Sequence, residues 1–466
     1  MNDDLSCFKA YDIRGKVPHP LSARLAYALG ASLACEIKEC ENKNVVVGHD
    51  IRLSAQMLSD ALCAGLTENG ASVVTLDLCG TEEIYQAAGQ HNYALGVMIT
   101  GSHNPADENG FKLVRKGAIP ISSDSGLARI KENVARILET EEIRAYAEPP
   151  KALRHISYKD EYAAWLVRTS GICEKKPGVR GTVLASVGNG AAGPLLEKLA
   201  PSLPFDLKFL HPEPDGHFPN GVPNPLLPER REETAQAVRD AHAMLGVAFD
   251  GDFDRCFFYD ANGTFVEGYY IVGLIAQALL AREPGATIIH DPRVYWNTRD
   301  IVERMGGKAV FSKTGHAFIK ESMRKHNALY GGEMSAHHYF RDFCYCDTGM
   351  LPFLLVTKLL LDTGKTLEEC VADCMQRYPC SGEINRTVRN PAGLLQELEK
   401  RYSGEAVQTF FIDGVNFDFA EWRCNIRKSN TEPLVRVNVE SRGNKQLLDD
   451  KTQELLAFID AYADRP

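Results

Sequence analysis

The sequence predicts an α/β fold in which short apolar strands alternate with amphipathic helices. Four leucines recur every four residues near the start of the chain, as on one buried helix face: Leu21, Leu25, Leu29 and Leu33. A β-branched run at residues 45–47 follows as a strand, and the same alternation restarts at residues 182–187 and 269–280. This rhythm is typical of α/β sheet sandwiches.

The remaining elements of the first unit continue the pattern. Ser54 is placed to cap a helix that Gly70 can end, and one face of that helix carries Leu58, Leu62 and Leu66. Residues 73–78 form the next predicted strand. In the later unit we predict a helix at residues 269–280, followed by strands at 287–290 and 309–312.

The chain of 466 residues is long enough for three or four domains, because single hydrophobic cores stop growing well below that length. Two proline-containing segments interrupt the pattern, at residues 148–150 and 211–228. From about Ser381 onward the pattern changes to strands such as residues 434–439, with one last helix at residues 445–463. This change predicts a smaller α+β domain at the end of the chain.

Composition and charge exclude several classes of protein. Apolar residues make up 44% and charged residues 24%, as in ordinary globular proteins. The net charge of −10, without a basic stripe, argues against a nucleic-acid partner, so an anionic small substrate would need a local basic pocket. The thirteen scattered cysteines predict reduced thiols, and the lone pair Cys344 and Cys346 lacks a second pair at zinc spacing.

The first fifteen residues contain no basic region followed by an apolar core, so we expect no signal peptide. The longest apolar stretches, at residues 269–281 and 350–361, are too short to span a bilayer. We therefore expect a cytoplasmic enzyme without a membrane partner.

A glycine-rich loop at residues 101–112 follows an apolar run and contains Ser102. Gly101 lets the backbone approach a phosphate closely. A serine at the end of a strand can act as a nucleophile, with His103 or Lys112 handling protons and charge. The alternative is an ordinary capped turn.

A second loop carries three alternating carboxylates, Asp250, Asp252 and Asp254. In an extended or gently curled segment, alternate side chains point the same way, and carboxylates that converge need a hard cation such as Mg²⁺ between them. Arg255 and Ala261 stand where an EF-hand needs glycine and glutamate, which excludes that motif. The alternative is a solvated acidic turn.

Two further loops carry polar side chains suited to a sugar phosphate. Glu333 and Ser335 are spaced to bind neighbouring sugar hydroxyls, and two histidines follow them. One turn before a strand carries a guanidinium, two hydroxyls and an amide that suit phosphate: Arg427, Ser429, Asn430 and Thr431. A polar loop and a hairpin turn are the alternatives. Tyr11, Arg14, Arg293 and His316 are isolated candidates, and a lone histidine is often structural.

Together these segments resemble the α-D-phosphohexomutase superfamily. The matching strings are TGSHNP with a lysine ten residues past its serine, DGDFDR, GEMSAH and RKSNTEP, which occur in the order found in that superfamily and cover nearly the whole chain. The resemblance implies three related α/β domains with mixed sheets between helices, at residues 1–152, 153–263 and 264–380. It also implies a smaller α+β domain at residues 381–466 and an active cleft where the four domains meet.

The resemblance also implies a role for each matching residue. Ser102 would be the phosphoserine, and one of its phosphate oxygens would join Asp250, Asp252 and Asp254 as Mg²⁺ ligands. Sugar contacts are implied for Glu333, Ser335 and His337. A clamp for the phosphate that is not transferring is implied for Arg427, Ser429, Asn430 and Thr431. Further phosphate contacts are implied for Tyr11, Arg14, Lys112, Arg255, Arg293 and His316, and the expected catalytic residues are Ser102, His103, Lys112 and Arg14.

Within the superfamily the chain resembles the bacterial phosphomannomutase group that acts before GDP-mannose synthesis. The strings FKAYDIRGK, CGTEEIY and GGEMSAHHYFRDF carry this likeness, and Met334 stands where phosphoglucosamine mutases usually have glutamine. One departure is His49, to which we assign no role.

The resemblance implies conversion of mannose 6-phosphate to mannose 1-phosphate through a 1,6-bisphosphate, with Mg²⁺ and a sugar 1,6-bisphosphate activator. The substrates would be hexose phosphates, and the enzyme a monomer or homodimer. A phosphoglucomutase or dual-specificity mutase is the first alternative, because the two sugars differ only at C2. A phosphatase and a non-catalytic sugar-phosphate-binding protein are the others.

Overall fold

The computed structural model describes residues 4–140, 153–173, 180–428 and 434–463. These residues form two compact units. The first unit comprises the described residues up to Phe265 together with His337–Gly364. The second unit comprises Val266–Ala336 and the described residues from Lys365 onward.

The N-terminal part of the first unit is a mixed sheet with helices packed against it. Its elements are β1 (Ile13–Lys16), α1 (Ala23–Glu36), β2 (Asn44–His49), α2 (Ala55–Glu68), β3 (Ser72–Leu78), α3 (Thr81–Gln90), β4 (Leu95–Ile99), β5 (Glu108–Arg115), β6 (Ile119–Pro120), α4 (Leu127–Thr140), β7 (Arg154–His155) and α5 (Lys159–Ser170). The strand order is β1-β5-β4-β2-β3-β7, with β6 paired to β5. Strands β4, β2, β3 and β7 are parallel, and β5 runs antiparallel to β4.

A second α/β arrangement follows along the chain. Its elements are β8 (Thr182–Ser186), α6 (Gly193–Leu199), β9 (Asp206–Leu210), α7 (Arg231–Asp240), β10 (Leu245–Phe249), β11 (Cys256–Tyr259) and β12 (Phe265–Val266). Strands β8, β9 and β10 are parallel, and β11 is antiparallel to β10. Because β10 is buried along its whole length, the acidic loop that follows it begins inside the protein.

The next elements are α8 (Gly268–Leu280), β13 (Thr287–His290), α9 (Trp296–Arg304), β14 (Lys308–Phe311), α10 (His316–His326), β15 (Tyr330–Gly332), β16 (His338–Phe340), β17 (Cys346–Asp347), α11 (Met350–Thr363) and α12 (Leu367–Arg377). Strands β14, β13 and β15 are parallel, and β16 pairs with β17 in antiparallel fashion.

The C-terminal elements are β18 (Ile384–Thr387), α13 (Pro391–Tyr402), β19 (Gln408–Phe410), β20 (Val415–Asp418), β21 (Trp422–Lys428), β22 (Leu434–Ser441) and α14 (Lys445–Ala463). Their sheet is antiparallel throughout, in the order β18-β22-β21-β20-β19. A separate hydrophobic core joins this sheet to α13 and α14. The structure thus confirms the predicted α/β class with mixed sheets and the smaller α+β domain at the end of the chain.

Three local predictions need correction. Leu21 is buried but precedes α1, whose N-cap is Ser22, so only the other three leucines lie on that helix. Ser54 lies at the N-cap of α2, but its hydroxyl accepts a hydrogen bond from Asn109 at 2.9 Å instead of capping the helix. The strand predicted at 309–312 begins and ends one residue earlier, as β14. The break predicted at residues 148–150 lies outside the described residues.

All thirteen cysteines are free, which agrees with the prediction of unpaired thiols. In the part of the chain that the structure describes, every helix is too short or too polar to cross a membrane.

Candidate active site

The loop after β4 holds Ser102 in a constrained conformation. Ser102 is buried, with 2% of its surface exposed, and its φ of 49° lies in the left-handed region that side chains rarely adopt. Arg52 donates hydrogen bonds to the carbonyl oxygens of Ser102 (3.0 Å), Asn104 (2.6 Å), Pro105 (2.5 Å) and Glu108 (2.8 Å). Such strain persists only where the surroundings hold it, and it occurs often at functional sites.

Asp50 fixes the start of the same loop. Its Oδ2 accepts hydrogen bonds from the hydroxyl of Thr100 at 2.7 Å and from the backbone N–H of Gly101 at 3.1 Å. Asp50 and Arg52 follow β2, which neighbours β4 in the sheet, so both loops lie at the same sheet edge. Sequence reasoning missed both residues, although their position after a predicted strand was a usable signal.

The hydroxyl of Ser102 faces charged and basic groups. It donates to Oδ2 of Asp250 at 2.8 Å and lies 3.1 Å from Nδ1 of His103. Nη2 of Arg255 donates to the hydroxyl oxygen at 3.3 Å and also to Nδ1 of His103. Burial, together with the guanidinium groups of Arg255 and Arg14, lowers the pKa of His103 well below its usual value.

Asp250, Asp252 and Asp254 converge, with one carboxylate oxygen of each within 4.8 Å of the others. All three are at most 1% exposed. They converge through a turn, in which Phe253 has a φ of 48°, so the segment is curled and not extended. A Cβ on Gly251 would come within 2.5 Å of the carbonyl oxygen of Ser102, so only glycine allows the two loops this approach.

Lys112 and Thr81 pack against the acidic loop. Nζ of Lys112 lies 2.7 Å from Asp252 and 2.5 Å from Asp254, and the Thr81 hydroxyl donates to Asp252 at 2.5 Å. Burial opposes the charge of Lys112, but Asp252 and Asp254 outweigh burial and raise the pKa of Lys112. Burial likewise opposes the ionised form of Asp252, but the Lys112 ammonium and the Thr81 hydroxyl lower the pKa of Asp252.

The donor set fits a divalent cation. Burial raises the pKa of Asp250 to about 7, and the neighbouring carboxylates add to this rise while Arg255 opposes it. Among the described residues, Oδ1 of Asp252 and Oδ1 of Asp254 accept no hydrogen bond, although both are buried. Oxygen ligands on buried carboxylates suit Mg²⁺, whose charge would favour the ionised form of all three groups.

Two other predicted residues of the first unit, Arg14 and His337, lie at the same site. Nε of Arg14 donates to Asp12 at 2.8 Å, and its Nη1 donates to the carbonyl oxygen of Thr100 at 3.1 Å. Tyr11 is half-buried. Nδ1 of His337 lies 3.1 Å from Oδ2 of Asp347, a fully buried carboxylate that sequence reasoning missed.

The predicted sugar loop of the second unit gathers around Arg293. Nη2 of Arg293 donates to Asp291 at 2.7 Å and to the hydroxyl of Ser335 at 3.1 Å, and it lies 3.6 Å from Glu333. The carboxylate of Glu333 accepts from the backbone N–H of Gly315 at 3.1 Å. His316, the next residue, begins α10. The structure therefore brings together four of the residues that the sequence predicts for substrate binding: Arg293, His316, Glu333 and Ser335.

Three arginines of the second unit surround a single glutamate, and we call Arg293, Arg427 and Arg436 with Glu383 the arginine cluster. Glu383 accepts from Arg427 at 2.9 Å, from Arg436 at 3.1 Å and from Arg293 at 3.5 Å. Burial raises the pKa of Glu383, but Arg427, Arg293 and Arg436 outweigh burial and hold this pKa at about 2. Sequence reasoning missed Glu383 and Arg436, which no motif marks.

The rest of the predicted clamp, Ser429, Asn430 and Thr431, lies outside the described residues.

Family models cover almost the whole chain. The three α/β/α domain models of the phosphoglucomutase/phosphomannomutase family match residues 6–141, 160–263 and 267–378, and the model of its C-terminal domain matches residues 383–457. The chain belongs to the phosphoglucomutase/phosphomannomutase family. Ser102 falls within the match to domain I, the three aspartates within the match to domain II, Glu333 within the match to domain III, and Arg427 within the match to the C-terminal domain.

Relatives in this family are similar over nearly their full length. A protein of Xanthomonas campestris pv. campestris named "Phosphohexose mutases" is 49% identical over 451 residues, covering 97% of this chain and 98% of the relative. The phosphomannomutase of Escherichia coli K12 is 47% identical over 461 residues, covering 98% and 99%.

Solved structures of the family share the fold. A phosphoglucomutase/phosphomannomutase family protein of Burkholderia thailandensis matches with a TM-score of 0.83 at 28% identity, covering 99% of this chain and 98% of that one. N-acetylphosphoglucosamine mutase of Aspergillus fumigatus, solved with GlcNAc-6P and magnesium, matches with a TM-score of 0.60 at 16% identity, covering 98% and 96%. At that identity the second likeness concerns the fold alone.

Proposed function

We propose that the chain is a phosphomannomutase that interconverts mannose 6-phosphate and mannose 1-phosphate and supplies GDP-mannose synthesis. One observation carries the proposal: the buried hydroxyl of Ser102 donates to Asp250 beside two further carboxylates and two cationic side chains. A serine in that setting is suited to carry a phosphoryl group, and the names of relatives at 46–49% identity support the reaction.

In the forward direction, the bond between phosphorus and Oγ of phosphorylated Ser102 breaks while a free hydroxyl oxygen of the sugar phosphate bonds to phosphorus. The product is a sugar 1,6-bisphosphate, and His103 or Lys112 relays the proton of the attacking hydroxyl to the departing Oγ of Ser102. The bisphosphate then reorients within the site, so that its two ends exchange places, and its other phosphate is transferred to Ser102. Lost bisphosphate would be replaced by a sugar 1,6-bisphosphate activator.

Mg²⁺, held by Asp250, Asp252, Asp254 and an oxygen of the phosphoserine, would offset negative charge on the transferring group. The chain's own cations share that task. Phosphoserine carries about −1.5 to −2 charges, and Arg255 already donates to Oγ of Ser102. Lys112 lowers the pKa of Asp252 and so keeps this ligand ionised, and its ammonium also forms an ion pair with Asp254.

We assign sugar recognition to Glu333, Ser335 and His337, and the clamp to Arg427 with Ser429, Asn430 and Thr431. We assign further contacts around the two phosphates to six residues: Tyr11, Arg14, Lys112, Arg255, Arg293 and His316. The four-domain partition at residues 1–152, 153–263, 264–380 and 381–466 belongs to the same proposal. Because the clamp must accept either end of the bisphosphate, it recognises the phosphate group and not the sugar ring.

The test is the intact mass of the purified chain before and after incubation with glucose 1,6-bisphosphate, followed by a mutase assay. We expect a gain of one phosphoryl group that maps to Ser102, and isomer formation from mannose 1-phosphate. Release of inorganic phosphate without isomer would replace the proposal by a phosphatase. Absence of the adduct during turnover would refute the covalent step.

A dual-specificity phosphohexomutase is the second candidate, favoured by the general name of the Xanthomonas campestris relative. Mannose and glucose phosphates differ only at C2, which is worth about 1–3 kcal/mol in a tolerant pocket. The ratio of kcat/KM for the two 1-phosphates decides between the candidates. A ratio above about 10 in favour of mannose supports the narrower function, since one such contact difference corresponds to about 10- to 200-fold discrimination.

A further inference from the structure

The arginine cluster places like charges on neighbouring strands. Arg427 on β21 lies directly opposite Arg436 on β22, which is unfavourable without a counter-ion. On the other side of β22, Asn385 of β18 is the partner of Arg436. Glu383 precedes Asn385 by two residues, so its side chain is directed to the same face. The sheet register therefore places this glutamate where it can neutralise both arginines.

The two carboxylate oxygens of Glu383 are divided among three arginines, so they do not satisfy all the hydrogen-bond donors of any one arginine. It accepts one bond from each of Arg427, Arg436 and Arg293, and neither Arg427 nor Arg293 binds it in the two-bond geometry that makes such pairs strong. Among the described residues, the buried Nε atoms of Arg427 and Arg293 donate to no acceptor. Arg427 also lies 3.8 Å from Asp413 and donates to Thr314 at 3.4 Å. The cluster thus retains donors for a second anion.

We propose that Glu383 is the resident counter-ion of Arg427 in the phosphate clamp. Its carboxylate re-forms the ion pair with Arg427 each time the substrate's phosphate leaves. This inference rests on the proposed function, since only a bisphosphate that turns over must leave the clamp in mid-reaction. Without Glu383, phosphate release would leave the half-buried Arg427 opposite Arg436 with the more distant carboxylate of Asp413, at 3.8 Å, as its counter-ion, which is costly. By competing with phosphate for Arg427, Glu383 weakens phosphate binding and shortens the time that the bisphosphate stays in the clamp.

Glu383→Gln tests the proposal, because it removes the competing charge and keeps the shape. In a Ser102→Ala background, isothermal titration should show Kd for inorganic phosphate and for mannose 6-phosphate falling about tenfold. With Ser102 intact, KM and kcat should both fall about tenfold, as expected when a bound state becomes more stable than turnover requires. Glu405→Gln, an exposed glutamate of the same domain, is the matched control and should leave these values unchanged.

Adding Arg427→Ala should remove the gain in affinity, because the two groups act through one contact. A Kd that rises or stays unchanged in Glu383→Gln would overturn the proposal. A rise would show that Glu383 holds the arginines in the position that binds phosphate. Glu383→Asp, whose shorter carboxylate reaches fewer partners, should tighten binding by a smaller factor. Loss of folding in both variants would also overturn it, by assigning Glu383 a structural role.

The measurements of Kd by titration do not depend on catalytic turnover. A wild-type chain that binds phosphate but forms no isomer would refute the proposed function while the comparison of Kd values still judges the role of Glu383.

Discussion

The two charged clusters of this protein are built on opposite principles. Around Ser102, three carboxylates lie together and two cationic side chains, Lys112 and Arg255, press against them. In the arginine cluster, three guanidinium groups share the carboxylate of Glu383. The first arrangement leaves carboxylate oxygens without hydrogen bonds among the described residues, and the second leaves guanidinium N–H groups in that state.

This difference indicates what each cluster can bind. Unused carboxylate oxygens attract a cation, and unused guanidinium donors attract an anion. Each cluster also contains a resident ion of the opposite sign, the Lys112 ammonium in one and the Glu383 carboxylate in the other. Such resident ions keep a buried cluster folded before its ligand arrives, because an uncompensated buried charge is strongly destabilising.

Ser102→Ala should have the strongest effect of the variants that test the difference between the two clusters. If the acidic cluster serves phosphoryl transfer through Ser102, activity with mannose 1-phosphate should fall by about 10⁴-fold or more, since a lost nucleophile has no substitute. Thermal unfolding should still show a cooperative transition. Full activity in this variant would remove the covalent role and, with it, the reason for the acidic cluster.

Asp252→Asn should sharpen the assignment of the acidic cluster to a cation. Loss of an outer-shell partner costs about 10- to 100-fold in metal affinity, so loss of a ligand should cost more than about 100-fold. Calorimetric titration with Mg²⁺ measures this directly, beside the Mg²⁺ dependence of activity. Asp240→Asn, at an exposed aspartate, is the charge control. An unchanged titration would exclude Asp252 from the ligand set.

Arg427→Ala should separate the two clusters by kinetics. Loss of a charge-assisted bond to phosphate costs about 1.5–3 kcal/mol, so KM should rise about 10- to 100-fold while the Mg²⁺ dependence stays the same. Arg389→Ala, an exposed arginine of the same domain, serves as the control. An unaltered KM would refute the clamp, and an altered Mg²⁺ dependence would show that the two clusters are not independent.

Thr81→Val is expected to have the smallest effect. The substitution keeps the side-chain shape but removes the hydrogen bond that Thr81 donates to Asp252. Mg²⁺ affinity should fall about tenfold, at the lower end of outer-shell effects, with KM for the sugar phosphate unchanged. A change in KM without a change in the Mg²⁺ titration would contradict the role given to Thr81.

Much of the fold could be predicted because its signals are local. The last helix, predicted at residues 445–463, has those bounds in the structure, and the strand predicted at 73–78 differs from β3 by one residue. Ser54 shows the limit of local reasoning. Its sequence position marks a helix N-cap, but its hydroxyl accepts a hydrogen bond from Asn109, which is distant in the chain.

The site residues divide in the same way. Ser102 and the three aspartates could be named because each motif is a contiguous string after an apolar run. Thr81 could not, since its role depends on a contact with Asp252, which lies 171 positions away in the chain. Glu383 has no motif at all, and its role follows from strand register.

The fold class, the order of the four motifs and the side chains that they contribute depend on residues close together in the chain, so they could be read from the sequence. Which charges meet depends instead on the packing of distant segments. Lys112 contacts Asp252 and Asp254 because β5 and the turn after β10 converge, and Glu383 faces Arg427 because β18, β22 and β21 pair in one register. Charge pairing between distant segments is a property of packing, which local sequence patterns do not encode.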